Sequence, residues 1–309
     1  VTTPLPALDR LERVLSELGR VVVAFSGGVD SALLGYVANR TLGANRVLCV
    51  TSSSASLPAD ELADCRALAT EWGLRHLVVE TNELADESYV RNGIDRCYHC
   101  KRELMDVLAG PAKAEGAPIA LGVNLDDLAD YRPGQQAAHE RGAVFPLVNA
   151  GLAKADVREL SRQLGLRTWD KPAAACLASR LPHGTPVTAD TLAQIERAES
   201  ALRALGFRVV RVRHYGESAR IELGLDELGR AVDERESVVA AVRAAGYRYA
   251  TLDLEGFRSG NLSRTAIKDA SDGKARVDRL VGEPGQGTGG GSSASRATLQ
   301  PAEDVLRFS

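Results

Sequence analysis

Val21-Val-Val-Ala-Phe-Ser26-Gly-Gly-Val-Asp-Ser31 is the segment around which the chain is organised. Its first residues are small or apolar and rich in valine, the composition of a buried strand. Ser26-Gly-Gly28 then turns the chain, and Val29 to Leu42 has the composition of a helix. Gly27 and Gly28 carry no Cβ, so backbone N–H groups can come close to a ligand. The helix behind them directs its positive end at the same spot. Ser26 and Ser31 add hydroxyl donors, and together these groups predict a pocket for a pyrophosphate. The common phosphate loop places a lysine before its final Ser or Thr; here Asp30 holds that place. The third glycine of a dinucleotide fingerprint is absent as well.

On the N-terminal side, Leu8, Leu11, Val14, Leu15 and Leu18 recur at helical spacing and Gly19 stops the helix. Downstream, strands are expected at 46–51, 75–80, 118–123 and 143–147, with helices at 58–72, 99–114, 135–141 and 154–164. Apolar strands alternating with helices predict an α/β fold over 1–168, a parallel five-stranded sheet covered on both faces. Ligands of such sheets sit beyond the carboxyl ends of the strands, where Ser26, Ser52 and Asn124 fall. Residues 169–187 break the pattern with three prolines, Trp169, Cys176 and Arg180, and read as an ordered connecting loop. A small α+β domain is expected over 188–258: a helix, two strands around Tyr215-Gly-Glu217, a helix at 226–245 and a last strand. In Val210-Arg-Val-Arg213 the two arginines share one strand face, and Arg220 and Glu222 do the same in the next strand. A hairpin would line one surface with three guanidiniums, which suit a phosphate. The core signal fades near Ser259, and the Gly- and Ser-rich run at 284–295 predicts a disordered tail over 259–309.

With 309 residues, 44% hydrophobic and 26% charged, the composition is that of a soluble globular protein. A net charge of −3 speaks against a general nucleic-acid binder. No apolar run is long enough to cross a membrane, and Val1 to Arg10 lack the basic start and apolar core of a signal peptide, so a cytoplasmic location is expected. Five cysteines, an odd number, argue against a disulfide framework in such a chain. Cys49 in a strand and Cys65 in a helix read as buried hydrophobes. Cys97-Tyr-His-Cys100 and Cys176 leave three readings. Three thiolates can bind a 4Fe–4S cluster and leave one iron open. Alternatively, Cys176 reacts with an activated substrate as a thiolate. Zinc, the third reading, would take His99 or His183 as a fourth ligand. Arg96, Lys101 and Arg180 lie close in sequence to these sulfurs and are expected to favour the thiolate form.

Ser26 to Ser31 resembles the PP-loop of the N-type ATP pyrophosphatases, members of the adenine-nucleotide alpha-hydrolase type that cleave ATP between the α and β phosphates and form an adenylated intermediate. The same chain carries, in order, Arg96-Cys-Tyr-His-Cys-Lys101, Asn124-Leu-Asp-Asp-Leu-Ala-Asp-Tyr-Arg-Pro-Gly134, Trp169-Asp-Lys-Pro172 through Arg180, Arg211-Val-Arg213 and Tyr249-Ala-Thr-Leu-Asp-Leu-Glu-Gly-Phe-Arg-Ser259. From about Leu8 to Ser259 it is similar to the LarE family, the ATP-dependent sulfur transferases that help build the nickel-pincer nucleotide of lactate racemase. The resemblance implies ATP, Mg²⁺ and a pyridinium-3,5-biscarboxylic acid mononucleotide whose carboxylates are adenylated and become thiocarboxylates. It implies Cys176, Asp30 and Ser31 as catalytic residues, with Ser26, Gly27, Gly28, Asp30 and Ser31 on the phosphates and metal. Ser52, Ser54 and Asn124 would lie near the adenosine. Arg211 and Arg213 would hold the substrate phosphate, with Ser179, Arg180, Glu199 and Glu222 around it. Members with only the counterpart of Cys176 give up its own sulfur. The presence of Cys97 and Cys100 implies the other kind, in which Cys97, Cys100 and Cys176 hold an iron–sulfur cluster. A homo-oligomer is implied, as are dealings with the carboxylase and nickel-insertion enzymes of the same pathway, and neither nucleic acid nor membrane as partner. Two other PP-loop activities stay open. An amide-forming ligase needs an ammonia source, and no glutaminase domain is read here. A tRNA thiolase would call for a basic surface that a charge of −3 does not supply.

Overall fold

The computed structural model describes residues 6–128, 133–172 and 175–258, so the tail expected over 259–309 lies outside the described residues. Helix α1 (Pro6–Leu18) buries Leu8, Leu11 and Leu15 and leads into strand β1 (Val21–Ala24). Then come α2 (Val29–Leu42), β2 (Val47–Ser53), α3 (Ala59–Glu71) and β3 (His76–Glu80). A short α4 (Glu87–Val90) precedes the long α5 (Arg96–Glu115) and β4 (Ile119–Leu121). Helices α6 (Leu125–Leu128), α7 (Pro133–Glu140), α8 (Pro146–Asn149) and α9 (Lys154–Gln163) follow. α5 starts at Arg96 rather than His99, which sets Cys97 and Cys100 about one turn apart on a helix.

The four strands run parallel in the order β3-β2-β1-β4. β1 is interior, and a strand covered on both faces must be apolar throughout. Val21 and Val23 pack with α1, α2 and α9, whereas Val22 packs with Met105 and Leu108 of α5. The sheet has four strands, not the five expected. At 143–147 only Val144 pairs, its N–H donating to the Ile119 carbonyl at 2.9 Å and its carbonyl accepting from Leu121 at 3.1 Å. Pro146 has no N–H to extend that ladder and opens α8 instead.

Past the connecting stretch, α10 (Ala189–Ala204) is capped by Thr188, whose hydroxyl accepts from the Thr191 N–H at 3.2 Å. β5 (Val210–Tyr215) and β6 (Ser218–Leu223) form the expected hairpin, with Arg211 opposite Glu222 and Arg213 opposite Arg220. The helix expected at 226–245 is broken at Glu234 into α11 (Leu228–Asp233) and α12 (Arg235–Ala244). β7 (Tyr249–Leu252) then joins β6 in parallel. Val210, Val212 and Ile221 pack with α10 and α12 in a core of their own. Alternation along the strands turns the arginines to the opposite face. All described residues belong to one compact unit. Among them, no helix is long and apolar enough to cross a membrane.

Candidate active site

The glycine turn adopts the backbone its composition calls for. Gly27 takes φ +66°, the left-handed region. Gly28 precedes α2 in an extended conformation, and no side chain caps that helix among the described residues, so its first amides keep donors to offer. Ser31 closes the turn: its Oγ accepts from the Ser26 N–H at 3.2 Å and donates to the Gly28 carbonyl at 3.2 Å. The loop also leans on Gly122, just past β4, where a Cβ would stand only 2.7 Å from the Ser31 nitrogen. Beside the turn lies a cleft of about 200 Å³ whose lining includes Ser26, Gly28, Asp30, Ser31, Ser52 and Lys101. A larger depression, about 510 Å³, runs along Leu48, His76, Leu77 and Pro111, but its polar groups amount to little beyond the exposed Arg75–Glu115 pair.

Asp30 is fixed from two sides. Asn124 Nδ2 donates to its Oδ1 at 2.9 Å, and Lys154 Nζ donates to its Oδ2 at 2.5 Å. Asn124 is buried, and its Oδ1 accepts from the Asp126 and Asp127 N–H groups at 3.0 and 3.3 Å. Lys154 opens α9, and its own N–H donates to Asp126 Oδ2 at 2.7 Å. Sequence reasoning missed it, because a lysine at a helix start looks like any solvated one. Ser54 is not among the residues lining the cleft; its Oγ accepts from the Ser56 N–H at 3.2 Å and braces the turn after β2. Lys171, from Trp169-Asp-Lys-Pro172, reaches the side of the loop facing α3, where it meets Asp64 at 2.6 Å and Glu61 at 2.8 Å. Burial would raise the Asp64 pKa, yet Lys171 and Arg167 hold it below the usual carboxylate range.

Cys176 directly precedes a tight turn, Leu177–Arg180. The Leu177 N–H donates to the Ser56 carbonyl at 2.8 Å, and Arg96 Nη1 donates to the Ala178 carbonyl at 2.8 Å. Arg180 Nη1 donates to the carbonyls of Ala175 and Cys176 at 2.6 and 2.9 Å. Cys100 and Cys176 pack against one apolar cluster with Tyr89 and Leu177, while Cys97 is exposed. The buried Arg96 feels the sulfurs of both Cys176 and Cys97. Three thiols are a donor set that suits iron, although as they stand no three Cys, His, Asp or Glu side chains among the described residues surround a single point. The expectation that nearby cations would promote the thiolate fails at Cys100. Burial, followed by Cys176 and Glu83, pushes that thiol up to about 12, against a smaller pull from Lys101. Arg180 is engaged elsewhere. His99, one of the two candidate zinc ligands, stands 3.2 Å from Asp95 and 3.4 Å from Asp86. Cys49 and Cys65 are buried, as expected of small hydrophobes.

The remaining expected residues meet around the Cys176 loop. Arg180 donates through Nε and Nη2 to the two oxygens of Glu199 at 2.8 and 3.1 Å, in a pair 1% and 0% exposed. Glu199 also accepts from Arg203 Nη2 at 2.7 Å and from the Val212 N–H at 3.0 Å. Arg213 donates to Glu222 at 2.7 Å and to the Ser179 carbonyl at 2.8 Å, tying the hairpin to the loop. Arg211, Arg213 and Glu222 are buried, so this strand face is interior rather than a solvated ribbon. Burial and then the like charge of Arg180 outweigh Glu199 and push Arg211 down to about 10. A guanidinium under such repulsion favours an added anion.

A parallel α/β sheet whose interior strand runs through Ser-Gly-Gly-Val-Asp-Ser into a helix N-terminus defines the PP-loop class of enzymes. Known proteins point the same way. A family model described as NAD synthase matches residues 9–104, which include the loop. An uncharacterized protein of Synechocystis sp. is 45% identical over 264 residues, covering 84% of this chain and 98% of its own length. The pyridinium-3,5-bisthiocarboxylic acid mononucleotide synthase of Lactiplantibacillus plantarum is 39% identical over 259 residues, 84% of this chain and 94% of that protein. An uncharacterized protein of Methanocaldococcus jannaschii is 26% identical over 241 residues, 78% of this chain and 91% of its own. The chain belongs to the LarE family.

Proposed function

We propose that this enzyme uses ATP to adenylate the carboxylates of pyridinium-3,5-biscarboxylic acid mononucleotide and then replaces each AMP with sulfur, leaving thiocarboxylates. The observation that carries this reading is a juxtaposition: the glycine turn opens on a cleft at the strand ends, and the Cys176 loop is fastened to Ser56, just past β2, and to Arg96 of α5. Ser26, Gly27, Gly28 and Ser31 would carry the ATP phosphates, with Ser52 toward the adenosine. Asp30, which Asn124 orients, would hold Mg²⁺; one carboxylate with phosphates completing the shell is an ordinary magnesium site. When bound, the ion offsets charge on the phosphates. A substrate carboxylate oxygen attacks the α-phosphorus, the bond to the bridging oxygen breaks, and pyrophosphate leaves with the electron pair. A sulfur nucleophile then adds to the acyl carbon, and AMP leaves as the C–O bond breaks. The protein's part in the first step is positioning and charge neutralisation. Arg211 and Arg213 would bind the substrate's phosphate, with Ser179, Arg180, Glu199 and Glu222 shaping the pocket. This reading carries with it a cytoplasmic location, a homo-oligomer, and exchange with the carboxylase and nickel-insertion enzymes of the pathway.

For the sulfur, we favour the cluster: Cys97, Cys100 and Cys176 would hold a 4Fe–4S group, which would supply the sulfide. A second reading, in which Cys176 gives up its own sulfur, is favoured by one detail: the thiol is not what Arg180 holds. Purified protein given ATP, Mg²⁺ and the dicarboxylated pyridinium nucleotide should release pyrophosphate and AMP. Its product should carry sulfur for oxygen. Absence of pyrophosphate overturns the function. Anaerobic counts of iron and acid-labile sulfide, repeated on Cys97→Ala, separate the two sulfur sources. Iron lost on substitution supports the cluster; an iron-free wild type that turns over supports Cys176.

A further inference from the structure

We infer that Lys101 is the lysine the glycine turn lacks, binding the phosphates of the nucleotide from α5, an inference that rests on reading the cleft as the ATP site. In the common phosphate loop the lysine comes from the loop itself, and here that place is Asp30. Three lysines stand near the turn. Lys154 is taken up by Asp30 at 2.5 Å. Lys171 is taken up by Glu61 and Asp64 at 2.8 and 2.6 Å. Lys101 lines the cleft with Asp30 and Ser31, is half-buried, and makes no hydrogen bond or ion pair among the described residues.

Asp30 and Lys101 are the charged side chains in the lining of the cleft. Lys154 already neutralises the first, so the second leaves the wall with a surplus positive charge. A half-buried ammonium without a counter-ion has lost part of its hydration and gained nothing in exchange. A polyphosphate entering the cleft supplies that counter-ion as a charge-assisted hydrogen bond. The stem of Lys101 is backed by α7. A Cβ on Gly134 would stand 3.5 Å from Lys101 Cβ and 3.0 Å from the Cys97 carbonyl, so the two helices lie close at the base of the lysine. Because Lys101 directly follows Cys100, the helical turn that presents the thiols also senses the phosphates.

The test is equilibrium binding of ATP and of adenosine, each with Mg²⁺, to the full wild-type chain, Lys101→Gln and Lys101→Arg. We expect Lys101→Gln to weaken ATP by about ten- to a hundredfold, the size of one lost hydrogen bond to a charged group. Adenosine should bind all three proteins alike, and Lys101→Arg should recover much of the ATP affinity. Equal ATP affinity in wild type and Lys101→Gln overturns the inference while leaving the ATP site intact. Loss of ATP and adenosine together, with the arginine variant no better, also overturns it, because that marks a role in folding. A wild type that binds no ATP removes the reading of the cleft, and the inference with it.

Discussion

Lys154 Nζ stands 2.5 Å from Asp30 Oδ2, so the carboxylate that distinguishes this loop is neutralised by a residue from a helix far along the chain. A divalent ion arriving at Asp30 must share or displace that ammonium. Lys154→Met should therefore strengthen nucleotide-free Mn²⁺ binding by about two- to fivefold, the equivalent of a partly exposed ion pair of up to roughly 1 kcal/mol. Electron paramagnetic resonance of free Mn²⁺ reads this directly, and unchanged or weaker binding would show that the two cations do not compete.

Gly122→Ala tests the close approach behind the loop. The added methyl would meet backbone, 2.7 Å from the Ser31 nitrogen and 2.9 Å from the Asp30 carbonyl carbon, where no flexible side chain can give way. A loss of about 1–3 kcal/mol is expected from the displacement, with a parallel fall in ATP affinity. Denaturant unfolding and ATP titration check it. Wild-type values in both would mean the turn tolerates what its geometry forbids.

Asn124→Asp tests how Asp30 is held. The new carboxylate can still accept from the Asp126 and Asp127 N–H groups, which preserves the start of α6. It can no longer donate to Asp30 and sets a second negative charge beside it. ATP affinity should fall about tenfold, and because the new carboxylate is buried beside Asp30 the melting temperature should fall as well. An unaltered affinity would deny Asn124 any part in holding Asp30.

Glu199 gives the fold a pH dependence of known sign. Burial tends to raise its pKa, but Arg180 overcomes this and holds it below the ordinary 4.5. A carboxylate depressed in the folded state stabilises above its unfolded pKa, and that contribution disappears as pH falls through the folded value. Glu199→Gln should cost about 3–5 kcal/mol at neutral pH, because Arg180 is left buried without its counter-charge. Its stability should also decline less steeply than the wild type's as pH falls below about 4.5. Parallel acid limbs in urea titrations would remove Glu199 from the account.

What could be read from the amino acids follows the range of the interactions. The Val21–Ala24 strand and the glycine turn are local, and the apolar run and missing Cβ atoms announce them. The register of Arg211 against Glu222 follows from strand alternation and a short turn, also local. Lys154 on Asp30 and Lys101 in the cleft join separate parts of the chain, and no spacing rule links them. The burial of the arginine face was illegible for the same reason: a strand pattern says which residues share a side but not what covers it, here Ser179 and Arg180. The lost fifth strand was different. Pro146 stands inside 143–147, and its missing N–H outweighs the apolar pattern around it.

Arg180 grips Cys176 by its main-chain carbonyl, not by its sulfur. That grip does not depend on what becomes of the sulfur. As thiol, as persulfide, alkylated, or stripped of sulfur altogether, residue 176 offers the same oxygen to the same guanidinium. A polypeptide that had discharged its sulfur would keep this anchor of the loop, since the oxygens of residues 175 and 176 remain for Arg180.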